Sequence, residues 1–164
     1  MQAADLLRQF RTMPFDHSKY DLIDFTSEGL AKVKLGRKWG LLNKQGKLFI
    51  SLNYDEIWEC SRGYTVLYNG KRGFIDKQGR ILVPAKYDDF RHVSEGFLII
   101  LNGYGGLIDK QGRILVCPKY QPLDEFSEGL AAIRLNGKEG YLDKKGNEYW
   151  GMTEGEARKQ MENR

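Results

Sequence analysis

The stretch GFIDKQGRILVPAKYDDF occupies residues 73–90, and GLIDKQGRILVCPKYQPL occupies residues 106–123. The two stretches lie 33 residues apart and agree at the first Gly, the Asp, the second Gly and the Tyr. Two weaker copies extend the pattern, so that four copies open at Tyr20, Tyr54, Tyr87 and Tyr120. A fixed period of this size predicts tandem units in which neighbouring copies cover each other's apolar faces.

Three glycines recur in every copy, and the spacing between the first two varies. That spacing is eleven residues in the outer copies and ten in the inner two. Because the apolar residues before the next turn stay in phase, we expect the extra residue to form a bulge after Gly29 or Gly129. The three sets of glycines are Gly29, Gly63, Gly96 and Gly129; Gly40, Gly73, Gly106 and Gly140; and Gly46, Gly79, Gly112 and Gly146.

Turn residues divide each copy into short strands. Asn69-Gly70, Asn102-Gly103 and Asn136-Gly137 lie between apolar runs, which predicts type I′ hairpins. An acid followed three residues later by Gly, as in Asp76 to Gly79, predicts a second tight turn. Each copy is therefore predicted to be a three-stranded antiparallel meander, with Pro84 and Pro118 ending the third strand of their copies.

The predicted fold class is all-β, a tandem array of four antiparallel three-stranded β-meander repeats that is open, curved and solenoid-like, with short N- and C-terminal helices. Closure into a propeller-like or barrel-like form remains an alternative, because periodicity alone does not separate the two. Residues 1–164 form a single repeat domain in this prediction. Its segments are residues 1–19 (helix and linker), 20–53, 54–86, 87–119 and 120–150 (the four copies), and 151–164 (C-terminal helix and tail).

The two terminal helices are predicted from different signals. Apolar residues with helical spacing run from Gln2 to Met13 and precede Pro14. Thr153 to Glu156 resembles a capping box at the start of a short polar helix. We expect the first helix to dock on the first copy, because a helix of about twelve residues is marginal alone.

Composition narrows the function only slightly. The net charge of +4 is a small excess among 26 basic and 22 acidic residues, which is weak support for a nucleic-acid partner. No apolar run is long enough to span a membrane, and Cys60 and Cys117 do not form a C-x-x-C pair. We therefore expect a cytoplasmic protein with free thiols, no signal segment and no membrane partner.

Two longer segments carry a family resemblance. FTSEGLAKVKLGRKWGLLNKQGKLFI, residues 25–50, and EFSEGLAAIRLNGKEGYLDKKGN, residues 125–147, closely resemble the repeats of bacterial WG-repeat, or KWG-repeat, proteins. At its position in the repeat, the Trp that gives the family its name is present only in the first copy, as Trp39-Gly40, and its equivalents are Arg72, Gly105 and Glu139. The resemblance implies a binding or scaffold module and brings no catalytic residues with it.

A search for chemistry in the sequence favours structural roles. The pair Cys60 and His92 lacks a recognisable catalytic constellation, so a hydrolase-type enzyme is the least supported alternative. The repeated acids Asp76, Asp109 and Asp143 occupy the first turn position, which favours a side chain that accepts hydrogen bonds from the turn backbone. We therefore expect them to be structural, and we expect neither a metal nor another cofactor. A second alternative is nucleic-acid binding through a basic stripe in the turns: Lys44, Lys47, Lys77, Arg80, Lys110, Arg113, Lys144 and Lys145.

The sequence favours a non-enzymatic protein that binds another protein. The second copy departs most from the repeat pattern, and it does so with Trp and Arg, which are enriched at interface hot spots. A bacterial toxin is one candidate partner, in which case the chain would act as an immunity protein. The residues predicted to bind the partner are Trp58, Arg62, Arg72, His92 and Tyr104.

Overall fold

The structure is a computed structural model that describes residues 15–121 and 123–164. The chain divides into two compact units, the first ending at Ile81 and the second beginning at Leu82. The N-terminal helix predicted from Gln2 to Met13 lies outside the described residues. Within the described residues the secondary structure is almost entirely β, which confirms the predicted fold class.

Fifteen strands and one α-helix form the described part of the chain. A short 3₁₀ turn at His17–Lys19 precedes them, and helix α1 at Glu154–Glu162 follows them. The strands are β1 Leu22–Phe25, β2 Ala31–Leu35, β3 Lys38–Leu42, β4 Leu48–Tyr54, β5 Glu56–Cys60, β6 Gly63–Tyr68, β7 Lys71–Asp76, β8 Ile81–Tyr87, β9 Asp89–Val93, β10 Gly96–Leu101, β11 Tyr104–Asp109, β12 Ile114–Tyr120, β13 Leu130–Leu135, β14 Lys138–Asp143 and β15 Glu148–Trp150.

The strands form four antiparallel sheets, one for each copy, and each sheet takes its strands in chain order. The first three sheets contain four strands and the last contains three. The additional strands are β1, β5 and β9, which occupy the segments predicted as connectors. Their residues are mostly exposed or half-buried, so the alternation that identifies a half-buried strand is weak there.

The prediction that proline ends the third strand of the unit is wrong. Strand β8 continues through Pro84, and β12 continues through Pro118 as far as Tyr120. Both strands lie last in their sheets, where a residue without an N–H group can face outward and break no ladder hydrogen bond.

The predicted Asn-Gly hairpins are present. Asn69, Asn102 and Asn136 have φ angles of 49°, 54° and 52°, and each is followed by a Gly with positive φ. Two successive residues with positive φ are what a type I′ turn requires. These three turns therefore have the predicted conformation.

The extra residue of the outer copies does not form the predicted bulge after Gly29 or Gly129. In the first copy it lies in the turn, because the Thr26 amide donates to the Leu30 carbonyl across a three-residue loop that ends at Gly29, whose φ is 80°. In the fourth copy Ser127 pairs with Leu130 across a two-residue loop, and the register shifts by one residue between this pair and the pair of Leu123 with Ile133, which places the extra residue before the turn. The inner copies have two-residue loops that lead into Gly63 and Gly96.

The Asp turns are held by their own side chains. Oδ1 of Asp76 accepts hydrogen bonds from the amides of Gln78 and Arg80, and Oδ2 accepts one from the Arg80 Nε–H. Asp109 and Asp143 form the same arrangement, and Asn43 accepts two backbone amides in the first copy. The predicted structural role of these acids is confirmed.

Neighbouring sheets within the second unit pack face to face. Leu107, Val116 and Tyr120 of the third sheet form one buried cluster with Ile133 and Leu142 of the fourth. A single meander cannot bury its apolar face by itself, so this packing supplies the cover that the period predicts.

Helix α1 covers the remaining face of the fourth sheet. Ala157 is fully buried in a cluster with Tyr149. At the start of the helix Thr153 accepts the Glu156 amide, and the Glu156 side chain accepts the Thr153 amide. The predicted capping box is therefore present.

Candidate protein-binding surface

The five residues predicted to bind a partner are divided between the two units. Trp58, Arg62 and Arg72 belong to the first unit, and His92 and Tyr104 belong to the second. Each unit therefore carries its own set.

Trp58 and Arg72 lie on the same face of the second sheet. Trp58 on β5 stands opposite Thr65 of β6, and Arg72 on β7 stands opposite Leu67 of β6. Residues directly opposite each other, and residues two apart along a strand, share a face, so all four side chains point to one side. Strand spacing and rise place the Trp58 and Arg72 Cα atoms about 12 Å apart. The Trp58 side chain is 46% exposed, and Arg72 is also exposed.

Arg62 lies at the opposite end of the same sheet from Arg72. It occupies the two-residue turn between β5 and β6, next to Gly63, which pairs with Asp76. Four residue positions of β6 separate Gly63 from Leu67, the partner of Arg72, which corresponds to about 13 Å. The structure does not bring Arg62 and Arg72 together.

His92 and Tyr104 lie at opposite ends of the third sheet. The His92 ring contacts the ring of Phe90 at 5.8 Å and that of Phe97 at 5.0 Å between centroids. Tyr104 begins β11, pairs with Leu101 and is 42% exposed. These two residues do not form one patch, because four positions of β10 separate their pairing partners.

A carboxylate is bound where the first two copies meet. The Ser27 amide donates to Oε2 of Glu59 at 2.9 Å, and the Ser27 hydroxyl donates to Oε1 at 2.6 Å. Lys77 donates to Glu28 in the same turn. That hydrogen bond is the main reason that the pKa of Lys77 is raised, and the charge of Glu59 adds to the rise. Two donor groups of this turn thus bind a carboxylate of the second copy, and Lys77 of the second copy binds the acid of the turn.

The equivalent place in the second unit is arranged differently. Lys144, which corresponds to Lys77, donates to the Ser94 hydroxyl. Glu125, which corresponds to Glu59, instead pairs with Arg91 at 2.9 Å. A pocket of about 350 Å³ opens at this place, and Phe126 contributes an aromatic wall.

Lysines surround the Trp of the first copy. The Nζ atoms of Lys32 and Lys34 lie 4.4 Å and 5.3 Å from the centroid of the Trp39 ring. Lys32 also donates to the Ile57 carbonyl at 2.7 Å. Cations over an aromatic face are attracted by its quadrupole. Lys32 therefore links the first two copies.

The acids of the Asp turns have lowered pKa values. Burial alone would raise the pKa of Asp76, but the hydrogen bonds from the amide and guanidinium of Arg80 outweigh it. The pKa values of Asp109 and Asp143 are lowered for the same reasons, with Asn147 in place of an arginine at Asp143. These carboxylates are committed to their own turns.

Metal-ligating side chains are not grouped in the described residues. In residues 15–121 and 123–164 there is no group of three His, Cys, Asp or Glu side chains placed to hold a metal ion. Cys60 lies in the first unit and His92 in the second, and both cysteines are thiols. None of the described helices is long and apolar enough to cross a membrane.

Comparison with known protein families identifies the repeat. The family model of the WG containing repeat matches residues 17–39, 39–71, 73–104 and 106–138, which together make up most of the chain. The chain belongs to the WG-repeat family. The last three matches begin at or next to the second glycine of a copy, whereas the sheets begin near the Tyr, so the phase of these matches differs from that of the sheets. No curated protein and no solved structure matches the chain significantly.

The glycine of the WG dipeptide is required by its neighbour strand. Between the pairs Trp39 with Tyr54 and Leu41 with Ile50, β3 advances two residues and β4 advances four. The resulting bulge brings the backbone of β4 close to Gly40, where an added Cβ would lie 2.7 Å from the Ile50 carbonyl oxygen. This WG glycine is therefore fixed by close backbone approach, and its φ angle is not in the left-handed region.

The contacts between WG repeats could not be found from the sequence. Ser27 and Glu59 lie 32 residues apart, and only the packing of one sheet on the next brings them together. The contact of lysines with Trp39 could be inferred in part from the sequence, because the hairpin register places Lys34 directly opposite Trp39. Lys32 then shares the same face because it lies two residues from Lys34.

Proposed function

We propose that this WG-repeat protein is a non-catalytic binding protein whose partner is another protein. The observation that carries the proposal is that Trp58 and Arg72 are both exposed on one face of the second sheet, with β6 between their strands. Trp and Arg are the residue types that most often dominate interface energetics when they become buried. Tyr68, which is 43% exposed at the end of β6, adds a second accessible aromatic side chain in this copy.

The finer proposal is that the partner is a toxin and that the protein neutralises it as an immunity protein. It is supported by the commitment of its repeated acids to their own turns. An immunity protein binds its toxin stoichiometrically and needs no chemistry of its own. We place this function in the cytoplasm, where such a protein would protect the cell that makes it.

Capture and calorimetry test the proposal. The full chain is used to isolate a stoichiometric complex from lysate of the native cell, and the captured polypeptide is then titrated against variants. Trp58→Ala and Arg72→Glu are each expected to weaken binding by about 2 kcal/mol, or roughly 30-fold in Kd. Ile114→Ala is the matched control, because Ile114 is 48% exposed but lies in the second unit.

Two outcomes of the capture and calorimetry experiments would contradict the proposal. Equal affinity of Trp58→Ala, Arg72→Glu and the unmodified chain would exclude this surface, and failure to capture any polypeptide would count against the function itself. Arg62→Glu should have a smaller effect than Arg72→Glu, since Arg62 lies at the far end of the sheet. The toxin proposal further expects the captured polypeptide to arrest growth alone and not when it is co-expressed with this chain.

Nucleic-acid binding is less well supported by the geometry. Arg80 and Arg113, two members of the basic stripe, are each paired with the Asp of their own turn at 2.7 Å and 2.9 Å. Lys77 is paired with Glu28. These pairs reduce the positive potential available to a phosphate backbone. A steep loss of affinity for DNA or RNA with added salt would favour this alternative.

A further inference from the structure

We propose that the pocket where the third and fourth copies meet binds a carboxylate side chain of the protein partner. We call it the Ser94 pocket; it is lined by Arg91, Ser94, Glu125, Phe126, Glu128 and Lys144 among others. The carboxylate chemistry follows from the structure of the two units, and the assignment of the carboxylate to a protein rests on the proposed function.

The first unit shows what the equivalent serine binds. Ser27 corresponds to Ser94, and its amide and hydroxyl together hold both oxygens of the Glu59 carboxylate. Hydrogen bonds to an ionised acceptor are the stronger kind. The loop that this serine begins has three residues in the first copy and two in the third, so the two copies share the donor groups and differ in the length of the turn.

In the second unit the same donors have no carboxylate. The Ser94 amide has no hydrogen-bond acceptor among the described residues, and the Ser94 hydroxyl accepts from Lys144, which leaves its own proton available to donate. The Lys144 ammonium has only this uncharged partner within the described part of the chain. Two neutral donors and one cation thus converge at the mouth of the pocket.

Each acid of the pocket lining is paired with an arginine. Glu125 pairs with Arg91 at 2.9 Å, and Glu128 lies 3.3 Å from Arg158, which also pairs with Glu154 at 2.7 Å. Lys144 is the cation of this lining whose partner among the described residues is a neutral hydroxyl, so its charge is available to an incoming carboxylate.

One substitution between the copies explains the difference. Arg91 corresponds to Asp24 of the first copy, and an aspartate at that position cannot hold a glutamate of the next copy. Glu59 is consequently free to bind Ser27, whereas Glu125 is held by Arg91 and leaves Ser94 open. Glu95 adds a like charge beside Ser94, and its equivalent Glu28 is paired with Lys77 in the first unit, where the carboxylate of Glu59 is bound.

The walls of the pocket suit a carboxylate on an apolar stem. Val93, Leu98 and Phe126 line it together with the polar groups. The methylene groups of a glutamate side chain can contact these residues while the carboxylate reaches Ser94 and Lys144. Apolar walls with a few convergent polar groups are typical of small binding sites.

Acetate tests the site without the partner. Amide chemical shifts of the ¹⁵N-labelled full chain are followed as sodium acetate replaces sodium chloride at constant ionic strength. The Ser94 amide is expected to shift saturably, and the Ser27 amide should not, because Glu59 already occupies its turn. Absence of a saturable Ser94 shift, or equal shifts at both serines, would overturn the proposal.

Three variants sharpen the experiment. Lys144→Gln should weaken the acetate response of Ser94 about fivefold or more by removing the charge. Arg91→Asp should release Glu125 to bind Ser94, so that the amide moves without acetate and stops responding to it. Glu59→Gln should make the Ser27 amide newly responsive to acetate. Because Glu59→Gln lies in the first unit, it still tests whether the serine of this turn binds a carboxylate if the variants in the second unit fold poorly. A Ser27 amide that does not respond to acetate in this variant would contradict such binding.

The source of the carboxylate is tested separately. With the captured partner, Lys144→Gln and Arg91→Asp are expected to weaken complex formation, and Lys145→Gln, in the next turn position, serves as the control. If acetate binds at Ser94 but both variants bind the partner at full affinity, the occupant is a free carboxylate compound and the assignment to the partner is wrong. If no partner is captured, the acetate result still decides whether the site exists.

Discussion

Replacing Gly106 with alanine should destabilise the second unit more than any change at an exposed turn glycine. An added Cβ would lie 2.5 Å from the Val116 carbonyl oxygen, 2.7 Å from the Pro118 nitrogen and 2.8 Å from the Cys117 carbonyl carbon, where ordinary contact begins at 3.4 Å. All three atoms belong to the backbone of β12, so no flexible side chain can move aside. Overpacking of this kind costs about 3 kcal/mol, at the upper end of the usual range.

Gly137→Ala provides the matched control. Gly137 lies in the same unit, has a φ angle of 78° and has no atom within 4 Å of an added Cβ, so alanine there meets only backbone strain. That strain costs about 1–2 kcal/mol. Gly137→Asn should be milder still, because asparagine adopts positive φ at Asn69, Asn102 and Asn136.

Urea denaturation followed by circular dichroism measures the difference. The midpoint should fall most for Gly106→Ala, less for Gly137→Ala and least for Gly137→Asn, with an unchanged slope for all three. A Gly106→Ala midpoint equal to or above that of Gly137→Ala would refute the explanation by close approach. The repeated glycine would then need another explanation.

Two further predictions concern buried polar groups. The pKa of Tyr64 is raised to about 12 by burial and by Glu28 and Glu59, and its hydroxyl has no partner among the described residues, so Tyr64→Phe should leave the urea midpoint unchanged or raise it. Tyr149→Phe loses a 2.8 Å hydrogen bond to Asp143 and should lower the free energy of unfolding by about 1 kcal/mol. An equal loss of stability in both variants would contradict this explanation. The pKa values of the turn aspartates Asp76, Asp109 and Asp143 are lowered from the ordinary 3.8. The ionised carboxylates therefore contribute fully to the stability of the fold above pH 3.8, and this contribution is lost as the pH falls through the lowered pKa values. Changing the three turn aspartates to asparagine, as at position 43, should flatten the dependence of the urea midpoint on pH in that acidic window, and an unaltered acid profile would show that other groups control it.

The repeat architecture follows from the sequence because it rests on local signals. Asn-Gly pairs, Asp-to-Gly turns and a fixed period each report on a few adjacent residues, and the structure confirms all of them. The fourth strand was missed for a physical reason: in β5, for example, Ile57 alone is buried, so the segment lacks the alternation of a half-buried strand. Pro84 was misread because the sequence does not reveal that β8 lies last in its sheet.

The candidate site was predictable only in part. Residue type and departure from the repeat pattern selected Trp58 and Arg72, which the structure places on one face. The same reasoning also selected Arg62, which lies at the other end of the sheet. Residues chosen by type alone can be far apart along a strand, because residue type carries no information about distance. The contact of Ser27 with Glu59 depends on the packing of successive sheets and has no local signal.

Each sheet takes its strands in the order in which the chain supplies them, and this has a consequence for folding kinetics. Every sheet can close through hairpins between chain neighbours, without waiting for a distant segment, which favours fast folding by keeping the loops to be closed short. A ribosome releases residues more slowly than a hairpin forms. The first sheet can therefore be complete while the third is still being synthesised, and within each unit the earlier sheet offers its exposed face as a template for the later one.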